Sequence, residues 1–466
     1  MANLSLPVHV ISALLALVAA VPAAVYAQTT APADRPHVET RLAPFPPEVR
    51  DSALLSPDGR RIAYVKKSGG REQFVVDGQE QPAFDRVASA TFSPDSKWFA
   101  FAAAVGDTWR VVVGTRQRSP YPRVGPPVFS PDSRRLACVV QLPDGHRTVV
   151  VNNKPGKPYD QLLEGGIRFS PNGQRFAYGA RLGAQWHVVV DDQEGPPHEF
   201  LGVASGIHFS PDGSRFAYAA LVDKKWCMVV DGKPQKAYQN LANLAFSPDG
   251  KHLAYAALEG DKWRVVVDGQ QGKPYEAIAA ESVQYSPGGG RLAYVAQSGK
   301  KWLAVVAGSE GKPYDHVGTL SFSPDGKRLA YRAGAGPETL VVLDGREGRG
   351  FDRVGDNTLA FSPDSRRLGY IARVGRASFA VIDGKRRGRY DMVGYLTFSP
   401  DSKHYAYAAT KGREVFTVVD EREAAHRYQS IWTVPEARLL FDGPKKFHYL
   451  AVKDESLLLV EEEIGE

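Results

Sequence analysis

The sequence predicts an all-β fold, a β-propeller built from ten to eleven four-stranded blades. Three observations carry this. A ten-residue stretch, FSPDGKRLAY at Phe322 to Tyr331, recurs ten times with small changes. Its serines (Ser56, Ser93, Ser130, Ser170, Ser210, Ser247, Ser286, Ser323, Ser362 and Ser399) lie 37 to 40 residues apart, and a fixed period in this range marks a repeat architecture. Each period holds four strand signals and no helical period, which is the size of one propeller blade.

The turn comes first in each unit. Pro324 sets φ for the second turn position, Asp325 bonds nearby amides, and Gly326 supplies positive φ. Ser96, Ser133, Ser365 and Ser402 replace that glycine, and Asn172 replaces an Asp, as milder turn formers. Ten copies of a serine are turn chemistry, not ten nucleophiles. A large–small–large triplet follows, as in Ile62-Ala63-Tyr64, Phe216-Ala217-Tyr218 and Leu368-Gly369-Tyr370. Alternate strand residues face opposite ways. One face is bulky and the other bare, which suits stacked sheets in which bulk fills hollow.

The third strand is rich in β-branched residues, as in WRVVVDG, and Asp-Gly follows it at Asp77, Asp231, Asp268, Asp344 and Asp383. That pair predicts a tight hairpin. The tenth copy ends near Ile431. Residues 432–466 hold three strand signals, a worn eleventh unit, and His37 to Pro44 offers a fourth strand that closes a ring without a free edge. Propellers usually have four to eight blades, which favours two tandem rings divided near residue 240. No linker or spacing break marks a boundary, so one large ring stays open.

Outside the array, 466 residues with 43% hydrophobic and 24% charged content fit an ordinary soluble globular chain with a large core. Residues 1–27 carry no Asp, Glu, Lys or Arg and include the apolar run Val10 to Val21. They predict a secretory signal cleaved after Ala27 and a periplasmic or secreted destination. No other stretch approaches the ~20 apolar residues of a spanning helix, so no transmembrane segment is expected after cleavage. Residues 28–42 are a polar lead-in and 43–466 the repeat array. Cys138, in place of a triplet Tyr, and Cys227 are expected to be free.

The FSPDGKRLAY repeats resemble the WD-like β-propeller repeat with a Ser-Pro-Asp-Gly turn, as in TolB and the propeller domains of prolyl-oligopeptidase-type enzymes. The resemblance covers about residues 45–431. It implies the propeller fold and little about function, because the repeat is a structural unit of many proteins. Two departures matter. TolB-type proteins carry an α/β domain before the propeller, and too few residues precede the first unit here. Oligopeptidase-type enzymes carry a hydrolase domain with a G-x-S-x-G turn, and neither that motif nor the ~250 residues it needs is present.

The chain has no close metal-binding His pair, Cys cluster or phosphate-binding loop, so neither metal nor cofactor is expected. Trp109, Trp186, Trp226, Trp263 and Trp302 each begin a third strand. An aromatic row could stack on sugar rings; packing between blades is the commoner use. The first and third turns of an up-and-down blade lie on one face of the ring. Arg134, Arg135, Lys327, Arg366, Arg386 and Arg387 fall there, candidates for attracting an anionic glycan or other polyanion, against a solvated surface balanced by neighbouring Asp residues. Asp85, Asp160, Glu276, Asp315, Asp352 and Asp391 follow the fourth-strand aromatic and form either a carboxylate ring or turn caps. The reading is an exported, non-catalytic propeller, a protein-binding or scaffold module in the cell envelope whose partner is another envelope protein or peptide. The alternatives are a carbohydrate- or polyanion-binding propeller, and a hydrolase or lyase with an axial pocket built from loops. Export argues against nucleic acid.

Overall fold

A computed structural model describes residues 35–163, 166–202, 206–431 and 439–465. The expected signal segment and its cleavage after Ala27 lie outside the described residues. Eleven antiparallel sheets follow one another along the chain. Blade 8 shows the plan, with strands His316–Phe322, Leu329–Ala335, Glu338–Leu343 and Arg346–Glu347. The Ser-Pro-Asp-Gly turn joins the first two. Asp344 and Gly345, both at positive φ (51° and 78°), join the last two, the paired left-handed conformation of a two-residue hairpin. The fourth strand rejoins the third where Phe351 pairs with Thr339. First-strand backbones of successive blades come together, as Leu54–Leu55 with Arg86–Phe92 and Asn240–Phe246 with Gln284–Tyr285, so the first strands line the axis.

The blades are thin because the triplet's middle residue is small. Ala63, Ala100, Ala137, Ala177, Ala217, Ala254, Ala293, Ala330 and Ala406 are all 0% exposed. Neighbouring sheets stack closely over them, with the flanking large residues filling the gap. At most blade junctions an aromatic of the fourth strand meets the triplet aromatic of the next blade edge to face. Tyr159–Tyr178 and Tyr275–Tyr294 both lie at 6.1 Å and 74°, and Tyr390–Tyr407 at 6.0 Å and 66°. Such pairs add about 0.5–1.5 kcal/mol beyond area burial.

Eleven apolar clusters fill the gaps between successive sheets. The last joins Leu450 and Leu459 of blade 11 to Ile62, Tyr64 and Val75 of blade 1. The ring therefore closes on itself once. The expected division near residue 240 is replaced by continuous packing of Ala217, Met228 and Tyr238 against Leu253, Tyr255 and Val266. The small middle residue, alanine in nine blades and Gly369 in blade 9, gives these blades a narrow wedge, and a narrow wedge admits more blades than the usual four to eight.

Blade 11 comes from both ends of the chain. Lys446–Lys453 pairs with Ser456–Glu463, and the N-terminal strand His37–Pro44 pairs antiparallel with the latter, which is the closure the sequence predicted. One helical turn, Pro47–Arg50, leads on to blade 1. The acidic end of the chain is thus a central strand. Glu461 pairs with Arg60, Glu463 with Lys446, and Glu462 is buried.

Candidate binding face

The face carrying the Ser-Pro-Asp turns is the most regular surface of the molecule. In blade 8 the buried Ser323 hydroxyl donates to Asp325 Oδ1 at 2.6 Å and accepts the Arg328 N–H at 2.9 Å. That bond and the Lys327 amide hold the Asp325 carboxyl below its ordinary pKa. The same Ser–Asp pair recurs in blades 1, 2, 3, 5, 6, 9 and 10. Neighbouring turns are also tied together. Ser96, Ser133, Ser365 and Ser402 each accept the Asp N–H of the preceding blade's turn, at 2.9 to 3.1 Å. These replacements of glycine are therefore inter-blade acceptors as well as turn formers.

In most blades an arginine staples the turn to the next. Arg328 pairs with Asp344, donates to Arg366 O at 2.8 Å and lies over the Phe361 ring at 5.7 Å. Arg61, Arg175, Arg215 and Arg367 do the same to their neighbours. His252 and His404 occupy this position in blades 6 and 10 and pair with Asp268 and Asp420.

The basic candidates divide into two groups. Arg134, Lys327 and Arg366 stand exposed on the turn rim, as do Lys97, Lys251 and Lys403, with side chains 77% to 78% exposed, against 86% for Arg366. Arg135 is a staple, donating to Gln174 O at 2.9 Å over the rings of Phe169 and Phe176. Arg386 lies over Phe379 and Arg387 pairs with Glu421. A cleft of about 730 Å³ opens on this face between blades 8 and 9, with Arg346, Glu347, Arg366 and Asp383 at its mouth and Tyr370 and Val341 beneath.

Sequence reasoning missed Trp98. It fills the staple position of blade 2 and is 54% exposed. The signal was readable by column, because the equivalent residues elsewhere are arginine or histidine. Its own interface, between blades 2 and 3, is also the thinnest. Cys138 stands where other blades place an aromatic, so Tyr121 has no ring opposite it. A small apolar gap lined by Val111, Tyr121, Leu136 and Cys138 results.

The five tryptophans at third-strand starts are not an open row. Trp186 is buried in the core between blades 4 and 5, Trp302 packs on the core between blades 7 and 8, and the other three are half-buried. Each pairs with a fourth-strand residue or bridge. The six fourth-strand carboxylates are turn caps. Asp85, Asp160, Glu276, Asp315, Asp352 and Asp391 accept the N–H of Gly106, Gly183, Gly299, Gly336, Gly375 and Gly412 in the next blade.

Titratable groups converge most closely away from the axis, between blades 10 and 11. Glu462 accepts Arg35 Nε at 2.8 Å, Thr417 Oγ1 at 2.6 Å and Tyr449 OH at 2.7 Å, and lies 2.9 Å from His426 Nε2. Burial alone would raise its pKa; the bond to His426 and the charge of Arg35 outweigh that and hold it well below the usual range. The Glu462 side chain is 0% exposed, Arg35 6% and His426 7%. With no room for a substrate, this cluster is a clasp. Arg35 also donates to Arg422 O in blade 10, so one guanidinium ties the incoming N-terminal strand to two blades.

The fold and this face define an eleven-bladed β-propeller. No family model matches the chain, and no curated protein does. Among solved structures, the chain is similar to a eukaryotic initiation factor at 15% identity and TM-score 0.39, covering 79% of this chain and 96% of that one. It is similar to TolB from Acinetobacter baumannii at 14% identity and TM-score 0.25, covering 59% and 78%. A third is the β-propeller domain of the Trilobed protease from Pyrococcus furiosus, at 15% identity and TM-score 0.28, covering 56% and 95%. These are partial likenesses of fold, and the eleven-bladed ring stands on the chain's own sheets.

Proposed function

We propose that this chain is an exported, non-catalytic propeller that binds a protein partner in the cell envelope through its Ser-Pro-Asp face. The observation that carries this reading is Trp98. A large aromatic, 54% exposed, stands where the repeat elsewhere places a stapling cation. It gives up an internal lock and presents an anchor. Aromatic and arginine residues dominate binding energy at protein interfaces. The exposed cations Lys97 and Arg134 sit on the turns of blades 2 and 3 beside it in the repeat. The turns are locked from within and from the next blade, so a partner meets a surface that is already ordered, which lowers the entropic cost of association.

The test is cross-linked capture from the organism's own envelope with the parent chain and with Trp98→Ala, each checked for folding. One protein held by the parent and at least tenfold less by the variant supports the reading. Equal capture by both removes Trp98 from the interface. Capture of glycan alone, abolished by Lys97→Glu/Arg134→Glu, moves the function to the polyanion-binding alternative favoured by the exposed cation rim. Mass measurement of the chain recovered from the envelope should give a start at Gln28.

A further inference from the structure

The outer edge of a propeller is a row of fourth strands, and each is a potential template for another strand. Ten of them are blunted. Blades 1 to 7 carry proline there (Pro82, Pro120, Pro155, Pro196, Pro234, Pro274 and Pro313), which removes a donor and breaks a ladder. Blade 8 has Gly348 and Gly350 between arginines and blade 9 reads KRRGR, while the outer strand of blade 10 is only the two residues Arg422–Glu423, and very short edges offer little template. Glycine weakens such a strand, and like charges oppose pairing.

The eleventh edge is different. His37–Pro44 is eight residues long, with no glycine and its only proline at the last position. Its pairing with Ser456–Glu463 is regular from His37 to Arg41, with a bulge only beyond that. Glu463 donates its N–H to Pro36 O at 2.9 Å. By antiparallel alternation, Val38 and Thr40 then bond inward. His37, Glu39 and Arg41 turn their N–H and C=O groups outward. All five side chains from His37 to Arg41 are exposed, Val38 at 59%. Glu39 is held by Tyr428 and Lys453. Arg41 has no ionic partner among the described residues.

We propose that this edge pairs with the same edge of a second copy of the chain, joining two rings through a continuous sheet across blade 11. The strand is self-complementary about Thr40. An antiparallel two-fold centred there sets Glu39 opposite Arg41 of the other copy, twice, and Val38 opposite Leu42. It also matches the backbone, because the facing pairs of Glu39 and Arg41 are the residues whose N–H and C=O groups point outward. Thr40 faces its own copy across a non-hydrogen-bonded position, where side chains come closest. The two rings would lie side by side, tangent at blade 11. One strand edge buries less than the standard interface of about 1,600 Å², so the association is weak and rises with concentration.

Sedimentation of the purified chain from about 1 μM to about 1 mM spans such affinities and should show a monomer–dimer equilibrium. Arg41→Glu places like charges opposite one another and should weaken it at least tenfold, as should Glu39→Arg. Mixing the two variants restores opposite charges on both pairs and should restore dimer. Thr40→Cys should form an intermolecular disulfide under mild oxidation, while the buried native cysteines stay free. A chain that stays monomeric throughout overturns the proposal. So does a dimer that ignores Arg41→Glu, which would place the contact elsewhere, and so does failure of Thr40→Cys to cross-link a dimeric sample.

Discussion

At the scale of single residues, two serines of the same turn do opposite kinds of work. The Ser362 hydroxyl is buried, donates to Asp364 and accepts the Arg367 N–H at 2.9 Å. Ser362→Ala strands that amide and should cost about 1–3 kcal/mol in urea denaturation. Ser365 sits at φ 65° and accepts the Asp325 N–H from the preceding blade. Ser365→Gly loses that bond, about 0.5–1.5 kcal/mol, but relieves left-handed strain of about 1–2 kcal/mol. Its stability should stay within about 1 kcal/mol of the parent. Equal losses in both variants would mean that the inter-blade bond matters more than the turn's own lock. The first role was legible in sequence, since Ser, Pro, Asp and Gly each have turn chemistry. The second was not, because its donor lies one repeat away on another sheet. The two cysteines supply a further residue-scale test. Burial pushes the Cys138 thiol up to about 12 and raises Cys227 as well. Neither should react with a thiol reagent at pH 8 until denaturant unfolds the chain; rapid labelling of the native protein would contradict their burial.

Between elements, the interfaces repeat and one of them is depleted. Most neighbouring blades share an aromatic pair and an arginine staple. Between blades 2 and 3 the first is lost to Cys138 and the second to Trp98, leaving the Asp95 N–H bond to Ser133 at 3.0 Å and a small core. Amides of Leu136–Gln141 should exchange with deuterium faster than those of the equivalent strand Leu329–Ala335. Cys138→Tyr should fill the gap and stabilise the ring by about 1 kcal/mol, the worth of one aromatic pair. A destabilised variant would show that Tyr121 has closed over the space. The sequence exposes half of this seam. Cys138 breaks a visible triplet and Trp98 breaks a visible column. The staples themselves leave little trace, because arginine donates to carbonyls that any residue can offer. The outer clasps leave a trace of another kind. Lys157, Lys273 and Lys312, each in a Gly-Lys-Pro segment, reach Glu194, Glu310 and Glu347 of the next blade at 2.6 Å. Complementary charge at one repeat's spacing is the signal that finds them.

At the scale of the whole molecule, stability depends on how the ring closes. Each blade packs only on its two neighbours, so a closed ring has no frayed end, whereas an open array has two. Closure was legible as a missing fourth strand at one end and a spare strand at the other. The Glu462 clasp was not, since its groups come from residues 35, 417, 426, 449 and 462 with no local motif. The Ser-Pro-Asp carboxylates Asp58, Asp95, Asp132, Asp212, Asp249, Asp325, Asp364 and Asp401, and Glu462, all have folded pKa values below their ordinary ones, with Asp212 at about 2 through its bonds to Ser210 and Ser214. Depressed carboxylates lend stability that is fully present above the ordinary carboxylate range. It is lost as pH falls through the folded values, so acid unfolding should run from about pH 4 to about pH 2. Glu462→Gln leaves Arg35 buried without its charge partner and should cost about 3–5 kcal/mol at neutral pH. If its melting temperature instead matches the parent's, the clasp carries no closure energy. Removing residues 35–44 goes further. It bares the edge of Ser456–Glu463 and the apolar residues Leu457 and Leu459, and it detaches blade 11 from its link to blade 1. The truncated chain should aggregate or lose the cooperativity of its melt, and a peptide spanning residues 35–45 added in trans should restore the parent transition. Rescue by that peptide but not by one carrying Arg35→Ala would show that the guanidinium, rather than strand pairing alone, locks the ring. An unaltered melt after truncation would mean that the remaining strands of blade 11 close the ring on blade 1 without the N-terminal strand.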